Sequence, residues 1–125
     1  MMPDDRRYTE SHEWVKQLGH DVYLIGITPR IIRKLGYLIH VDLPDVEDEI
    51  MLGLPFGEIE SESKTREMLP PMDGTVLEVN EVVFDDLDLL AADPLEKGWL
   101  IKIKAHTPEQ FANLIETREY NKIRE

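Results

Sequence analysis

The run Gly98-Trp99-Leu100-Ile101-Lys102-Ile103-Lys104 alternates apolar and charged side chains with a period of two. That spacing suits a strand with one buried face and one wet face; a helix would need apolar residues every three or four positions. Val22-Tyr23-Leu24-Ile25-Gly26-Ile27 is a second short, β-branched apolar run, and His12-Glu13-Trp14-Val15-Lys16 alternates before it, with Leu18-Gly19-His20-Asp21 as the turn between them. Trp99, Ile101, Ile103, Val22, Leu24 and Ile27 are expected in a β core, with Trp14 at least half-buried beside them. Thr28 and Pro29 open a short helix with Ile31, Ile32 and Leu35 on its apolar side, and Gly36 stops it. Residues 37–43 return to strand.

Glu47-Asp48-Glu49 reads as a solvated turn, and residues 56–61 and 75–79 read as strands on either side of a polar turn. Residues 81–94, rich in Asp and Leu, show no decisive period. Thr107-Pro108-Glu109-Gln110 has the form of a capping box, opening a helix over 107–119 with Phe111, Leu114 and Ile115 on one side. These elements predict a mainly-β fold with a helix after the first strands and another at the C-terminus. Residues 1–7 form a tail and 8–125 a single domain.

The 125 residues suffice to bury a core without disulfides or metals. With no cysteine there is no disulfide framework, thiolate metal site or cysteine nucleophile. Fourteen Lys and Arg against 26 Asp and Glu give a net charge of −12, which repels nucleic-acid backbones and anionic lipid surfaces and favours partners with basic patches. No apolar run approaches the roughly 20 residues of a membrane span. The charged N-terminus lacks the apolar stretch of a secretory signal, so a cytoplasmic location is expected.

His12-Glu13 lacks the second histidine of a zinc-protease helix, because Lys16 stands in its place. His20, His40 and His106 have no ligand spacing, and no phosphate-binding or nucleophile-elbow motif occurs. No catalytic or metal-ligating set is expected. Glu58, Glu60 and Glu62 share one strand face, either as a solvated surface or as an acidic docking surface beside the turn. That turn, Glu60-Ser61-Glu62-Ser63-Lys64-Thr65, presents a lysine amine far from the core, where a modifying enzyme can reach it.

The chain resembles the H protein of the glycine cleavage system. The likeness runs through Tyr8-Thr9-Glu10-Ser11-His12-Glu13-Trp14-Val15, Gly26-Ile27-Thr28, Leu43-Pro44-Asp45-Val46, Phe56-Gly57, Glu60-Ser61, Pro71, Gly74, Glu78-Val79-Asn80-Glu81, Asp93-Pro94 and Gly98 to Lys104. It implies a barrel-sandwich hybrid fold related to lipoyl and biotinyl domains, with a lipoyl group amide-linked to a hairpin lysine. The resemblance also implies a shuttle in glycine catabolism, not an enzyme. Its partners would be a pyridoxal-phosphate glycine decarboxylase, a tetrahydrofolate-dependent aminomethyltransferase, dihydrolipoamide dehydrogenase, and the lipoate ligase or transferase that loads it.

The family reads Glu-Ser-x-Lys, which places its lysine at Ser63; here the lysine is Lys64, with the spacing to Pro71 and Gly74 unchanged. Arg66-Glu67-Met68-Leu69 replaces small residues followed by Asp, Glu47 replaces Gly, and Ala91-Ala92 replaces Asn-Ser. Either the turn is rearranged to present Lys64, flanked by Glu60, Ser61, Glu62, Ser63 and Thr65, or this chain is not modified there. Three functions follow: an aminomethyl shuttle, a lipoyl carrier in another pathway such as sulfur metabolism, or an H-like interaction module without an arm.

Overall fold

The computed structural model describes residues 2–123. Met1 of the expected tail, and Arg124 and Glu125 of the expected domain, lie outside the described residues. The fold is mainly β, in two antiparallel sheets. One has seven strands, in the order 115–116, 7–8, 13–17, 22–27, 101–105, 74–79 and 49–50, and the other has three, 38–42, 57–61 and 65–68.

β2 (Glu13–Gln17) and β3 (Val22–Ile27) form a hairpin, and β3 also pairs with β9 (Ile101–Ala105). Along β3 the period of two sends Tyr23, Ile25 and Ile27 into the main core with Ile101 and Ile103. Leu24 and Gly26 face the other side. There Trp14 joins Tyr8 and Tyr120, whose rings stack, in a second apolar cluster flanked by Leu24, Leu95 and Trp99. Trp14 is fully buried, whereas Val22, Leu24 and Trp99 are only partly so. Alternation alone does not reveal that both faces of this sheet are covered. Trp99 also precedes β9 and packs on the second cluster.

α1 (Pro29–Leu35) begins at Pro29 and ends at Gly36, whose φ of 86° suits glycine. Thr28 precedes it, but its hydroxyl meets the Tyr120 hydroxyl at 2.8 Å instead of capping the helix. β4 (Leu38–Asp42) and β6 (Gly57–Ser61) pair in the small sheet. The partner of β6 across the turn is β7 (Thr65–Met68), not residues 75–79 as the sequence suggested. Those residues lie in β8 (Gly74–Val79) of the large sheet, between β9 and the two-residue β5 (Glu49–Ile50). Glu49 is therefore a strand residue, and the expected acidic turn narrows to Glu47, at φ 77°, and Asp48. Residues 81–94 contain two short helices, α2 (Val82–Asp85) and α3 (Leu87–Ala92), which pack on β4.

The expected helix over 107–119 is broken. A 3-10 segment covers Pro108–Asn113, Leu114 is extended, and β10 (Ile115–Glu116) pairs with β1 (Arg7–Tyr8) before α4 (Thr117–Tyr120). The capping box does not form because the Gln110 side chain is used elsewhere. Its Oε1 accepts from Asp73 N at 2.8 Å and its Nε2 donates to Asp73 Oδ2 at 2.9 Å. The expected tail is also tied down. Arg6 is buried over the Trp14 ring, 4.6 Å from its centroid, with its guanidinium donating to Leu95 O and Glu96.

Candidate functional site

The register Glu60↔Thr65 leaves four residues to turn the chain between β6 and β7. Ser61 N donates to Lys64 O at 2.7 Å, so Ser61 and Lys64 close a two-residue loop, Glu62-Ser63. The Ser61 hydroxyl is buried and accepts from Lys64 N at 3.1 Å and Ser63 N at 3.4 Å, locking the turn from inside. Glu62 N donates to Tyr37 O at 3.1 Å, fastening the loop to the start of β4. Tyr37 is 67% exposed there.

This geometry separates the two candidate positions. Ser63 occupies the exposed loop, while Lys64 stands opposite the buried Ser61 at the closing position. Opposed residues of an antiparallel pair share a face. The Lys64 side chain accordingly turns toward α1, and its Nζ donates to Lys34 O at 3.2 Å. Lys34 lies in the last turn of α1, where carbonyls without helical partners attract a cation. Lys64 itself is exposed, and among the described residues no carboxylate pairs with it.

Glu58 and Glu60 point outward from β6, while Ile59 between them and Ser61 after them are buried. Glu62 lies beyond the strand, in the loop. The outer face gathers more acid than the sequence alone indicated, because Asp42, Glu58 and Glu67 stand in one row across β4, β6 and β7. Thr65 begins β7, exposed opposite Glu60.

Glu13 bears on the base of this hairpin, although in the sequence it drew notice only beside His12. It is fully buried and accepts from the Thr9 hydroxyl at 2.6 Å, from the Ser11 hydroxyl, and from Leu69 N at 3.2 Å just beyond β7. Burial pushes its carboxyl up from the ordinary range, against the opposing pull of those donors and of Arg66. Arg66 reaches from β7 to Ser11 O at 3.0 Å. The available signal was the pair of hydroxyls two and four residues before Glu13. His12 is committed to the Tyr120 hydroxyl, at 2.8 Å from Nδ1, and His106 lies 2.6 Å from Glu49. His20 and His40 are exposed on separate elements.

A lysine on a locked loop, with its amine in solvent, can accept an acyl group without disturbing the core. Removing its charge would weaken only one surface contact. The residues present therefore fit a covalently attached arm.

Residues 6–125 match the family described as Glycine cleavage H-protein. The chain belongs to this family. It is 38% identical over 114 residues to the glycine cleavage system H protein of Vibrio parahaemolyticus, covering 91% of this chain and 90% of that protein. It is 36% identical over 125 residues to that of Carboxydothermus hydrogenoformans, covering 100% and 95% respectively. The crystal structure of a glycine cleavage system H protein from Mycobacterium marinum superposes with a TM-score of 0.85 at 31% identity, covering 95% of both chains. H-family proteins are non-catalytic carriers that typically bear lipoyl-lysine, so membership makes this chain a carrier-type protein and not an enzyme. No helix among the described residues is long and apolar enough to cross a membrane.

Proposed function

We propose that this H-family chain shuttles an aminomethyl group between the enzymes of the glycine cleavage system in the cytoplasm, with Lys64 as its attachment residue. The carrying observation is the exposed Lys64 amine at the closing position of a rigid hairpin loop. A lipoyl group in amide linkage to that amine would supply a redox-active disulfide, the sulfur chemistry that carrying an aminomethyl group requires.

The chain's own residues do the positioning. Ser61 holds the turn, Glu62 fixes it to β4, and Glu13 and Arg66 brace the hairpin base against the first strands. A stiff base with a mobile arm keeps the carried group at high effective concentration around each docked enzyme. The partners are glycine decarboxylase, the aminomethyltransferase, dihydrolipoamide dehydrogenase and a lipoate ligase or transferase. The acidic row of Asp42, Glu58 and Glu67 favours basic docking patches on them.

One observation favours a second reading. Ser63 holds the loop while the Lys64 amine rests on Lys34 O, an arrangement that also suits an H-like interaction module without an arm. Intact-mass analysis of natively expressed protein separates the two. The shuttle requires one lipoyl adduct, lost in Lys64→Ala; an unmodified native chain supports the armless module. The double substitution Ser63→Lys, Lys64→Ala then tests how the turn is read. A lower lipoylation yield than the parent's means recognition is built around Lys64, and a higher yield means the ligase reads the loop position.

A further inference from the structure

The segment joining β5 to β6 carries Met51, Leu52 and Leu54, each at least half exposed, with Leu54 at 58%. Such exposure is not the looseness of a mobile loop. Leu54 N donates to Met51 O at 3.1 Å, and Leu52 N donates to Asp73 Oδ1 at 2.7 Å. Asp73 is itself held by the two hydrogen bonds to Gln110. Met51, Leu54 and Pro55 line a groove of about 370 Å³ together with the buried Phe56 and Leu43. The exposed Asp42 and Asp48 also line it, and Asp48 Oδ2 accepts from Asp45 N at 2.8 Å. No lysine or arginine among the described residues pairs with either, and Glu58 lies beside Asp42 in register.

We propose that this groove docks a segment of a partner protein that presents a bulky apolar side chain flanked by lysine or arginine. The apolar lining calls for the first feature, and the two aspartates, which no lysine or arginine neutralises, for the second. A second copy of this chain would bring the same two aspartates against the first, in a molecule that already carries a charge of −12. The groove adjoins the Gly57 end of β6, whereas the Lys64 turn follows Ser61 at the other end. Five strand residues span roughly 15 Å. A seated partner therefore leaves the turn free, and the inference stands whether or not Lys64 carries an arm.

The test titrates isotope-labelled full-length protein with three synthetic peptides: Lys-Lys-Phe-Leu-Lys-Lys, its charge-only form Lys-Lys-Gly-Ser-Lys-Lys, and its apolar-only form Ser-Ser-Phe-Leu-Ser-Ser. The first should shift the Met51 and Leu54 methyl signals, binding at least about tenfold more tightly than either control and weakening with added salt. Leu54→Ser should lower its affinity by about tenfold, Met51→Ser should do likewise, and Tyr37→Ser, beside the Lys64 turn, should leave it unchanged. Both Leu54 and Met51 are exposed, and backbone spectra of the variants verify the fold. The proposal is overturned by absence of shifts at millimolar peptide, by equal binding of the charge-only peptide, or by insensitivity to both groove substitutions. Shifts that follow protein concentration without peptide would overturn it in favour of a second copy.

Discussion

Replacing Gly26 by alanine probes the contact that joins the first hairpin to the second apolar cluster. Gly26 lies opposite Trp14 in the β2–β3 register. A Cβ there would stand 2.5 Å from Trp14 Cε2 and Cζ2 and 2.7 Å from Nε1. Carbon atoms pack at about 3.5–4.0 Å, so the ring would have to withdraw by about 1 Å. It has nowhere to go: Trp14 is fully buried, Arg6 covers its face, and its Nε1 donates to Ile27 O and Pro94 O, both at 3.0 Å. Overpacking costs about 1–3 kcal/mol. Stranding the indole N–H adds about 1–3 kcal/mol. Alanine's stiffer unfolded chain returns about 0.4–1 kcal/mol. The net is a destabilisation of about 3 kcal/mol, or roughly 9–15 °C in a domain of this size. Thermal unfolding followed by circular dichroism and tryptophan fluorescence measures it, with Gly19→Ala, whose Cβ meets nothing within 4 Å, as the neutral control. A Gly26→Ala melting point within about 2 °C of the parent would refute the packing argument.

Two further predictions concern the hairpin and its base. Ser61→Ala removes the acceptor for two loop amides and should cost about 1–2 kcal/mol; it should also speed hydrogen exchange at Lys64 N, and unchanged protection there would show that the hydroxyl does not lock the turn. For Glu13, a folded-state pKa raised by burial contributes stability that is whole below the unfolded value and lost as pH rises through the folded one. Relative to the parent, Glu13→Gln should therefore gain stability as pH rises above the ordinary glutamate range of about 4. The other carboxylates cancel in this difference, and parallel stability curves would contradict the assignment.

The parts of the fold legible in the sequence are those whose own residues carry the signal. β3 and α1 are of this kind: one is a β-branched run, and the other is bracketed by Pro29 and Gly36. β7 was not legible, since Thr65, Arg66 and Glu67 are polar and only Met68 is buried; pairing with β6 makes it a strand. β1 and β10 are two residues each, too short for any period, and are strands only through their pairing, β1 with both β2 and β10 and β10 with β1. The capping box at Thr107 was a true local signal overridden at a distance, where Asp73 takes the Gln110 side chain. Around the turn, the sequence located the hairpin loop but not the buried contact of Glu13, which depends on Leu69 arriving from the far side of the hairpin.

The parity of the pairing decides how Lys64 is presented. Because Glu60 pairs with Thr65, Ser61 and Lys64 are opposed and Glu62 and Ser63 alone form the loop. A lysine at Ser63 would leave the protein from the loop with no neighbour to hold it. A lysine at Lys64 leaves from beside a buried serine, and its stem passes the end of α1, where Lys34 O meets the amine. An arm that starts there must first clear the corner formed by Lys34, Tyr37 and the loop. Any enzyme that loads or reads it must approach over that corner and not only along the hairpin axis. Tyr37, largely exposed and fastened to Glu62 through its carbonyl, forms part of that corner. Under the shuttle reading the shift therefore changes the direction of presentation while leaving the locked turn intact.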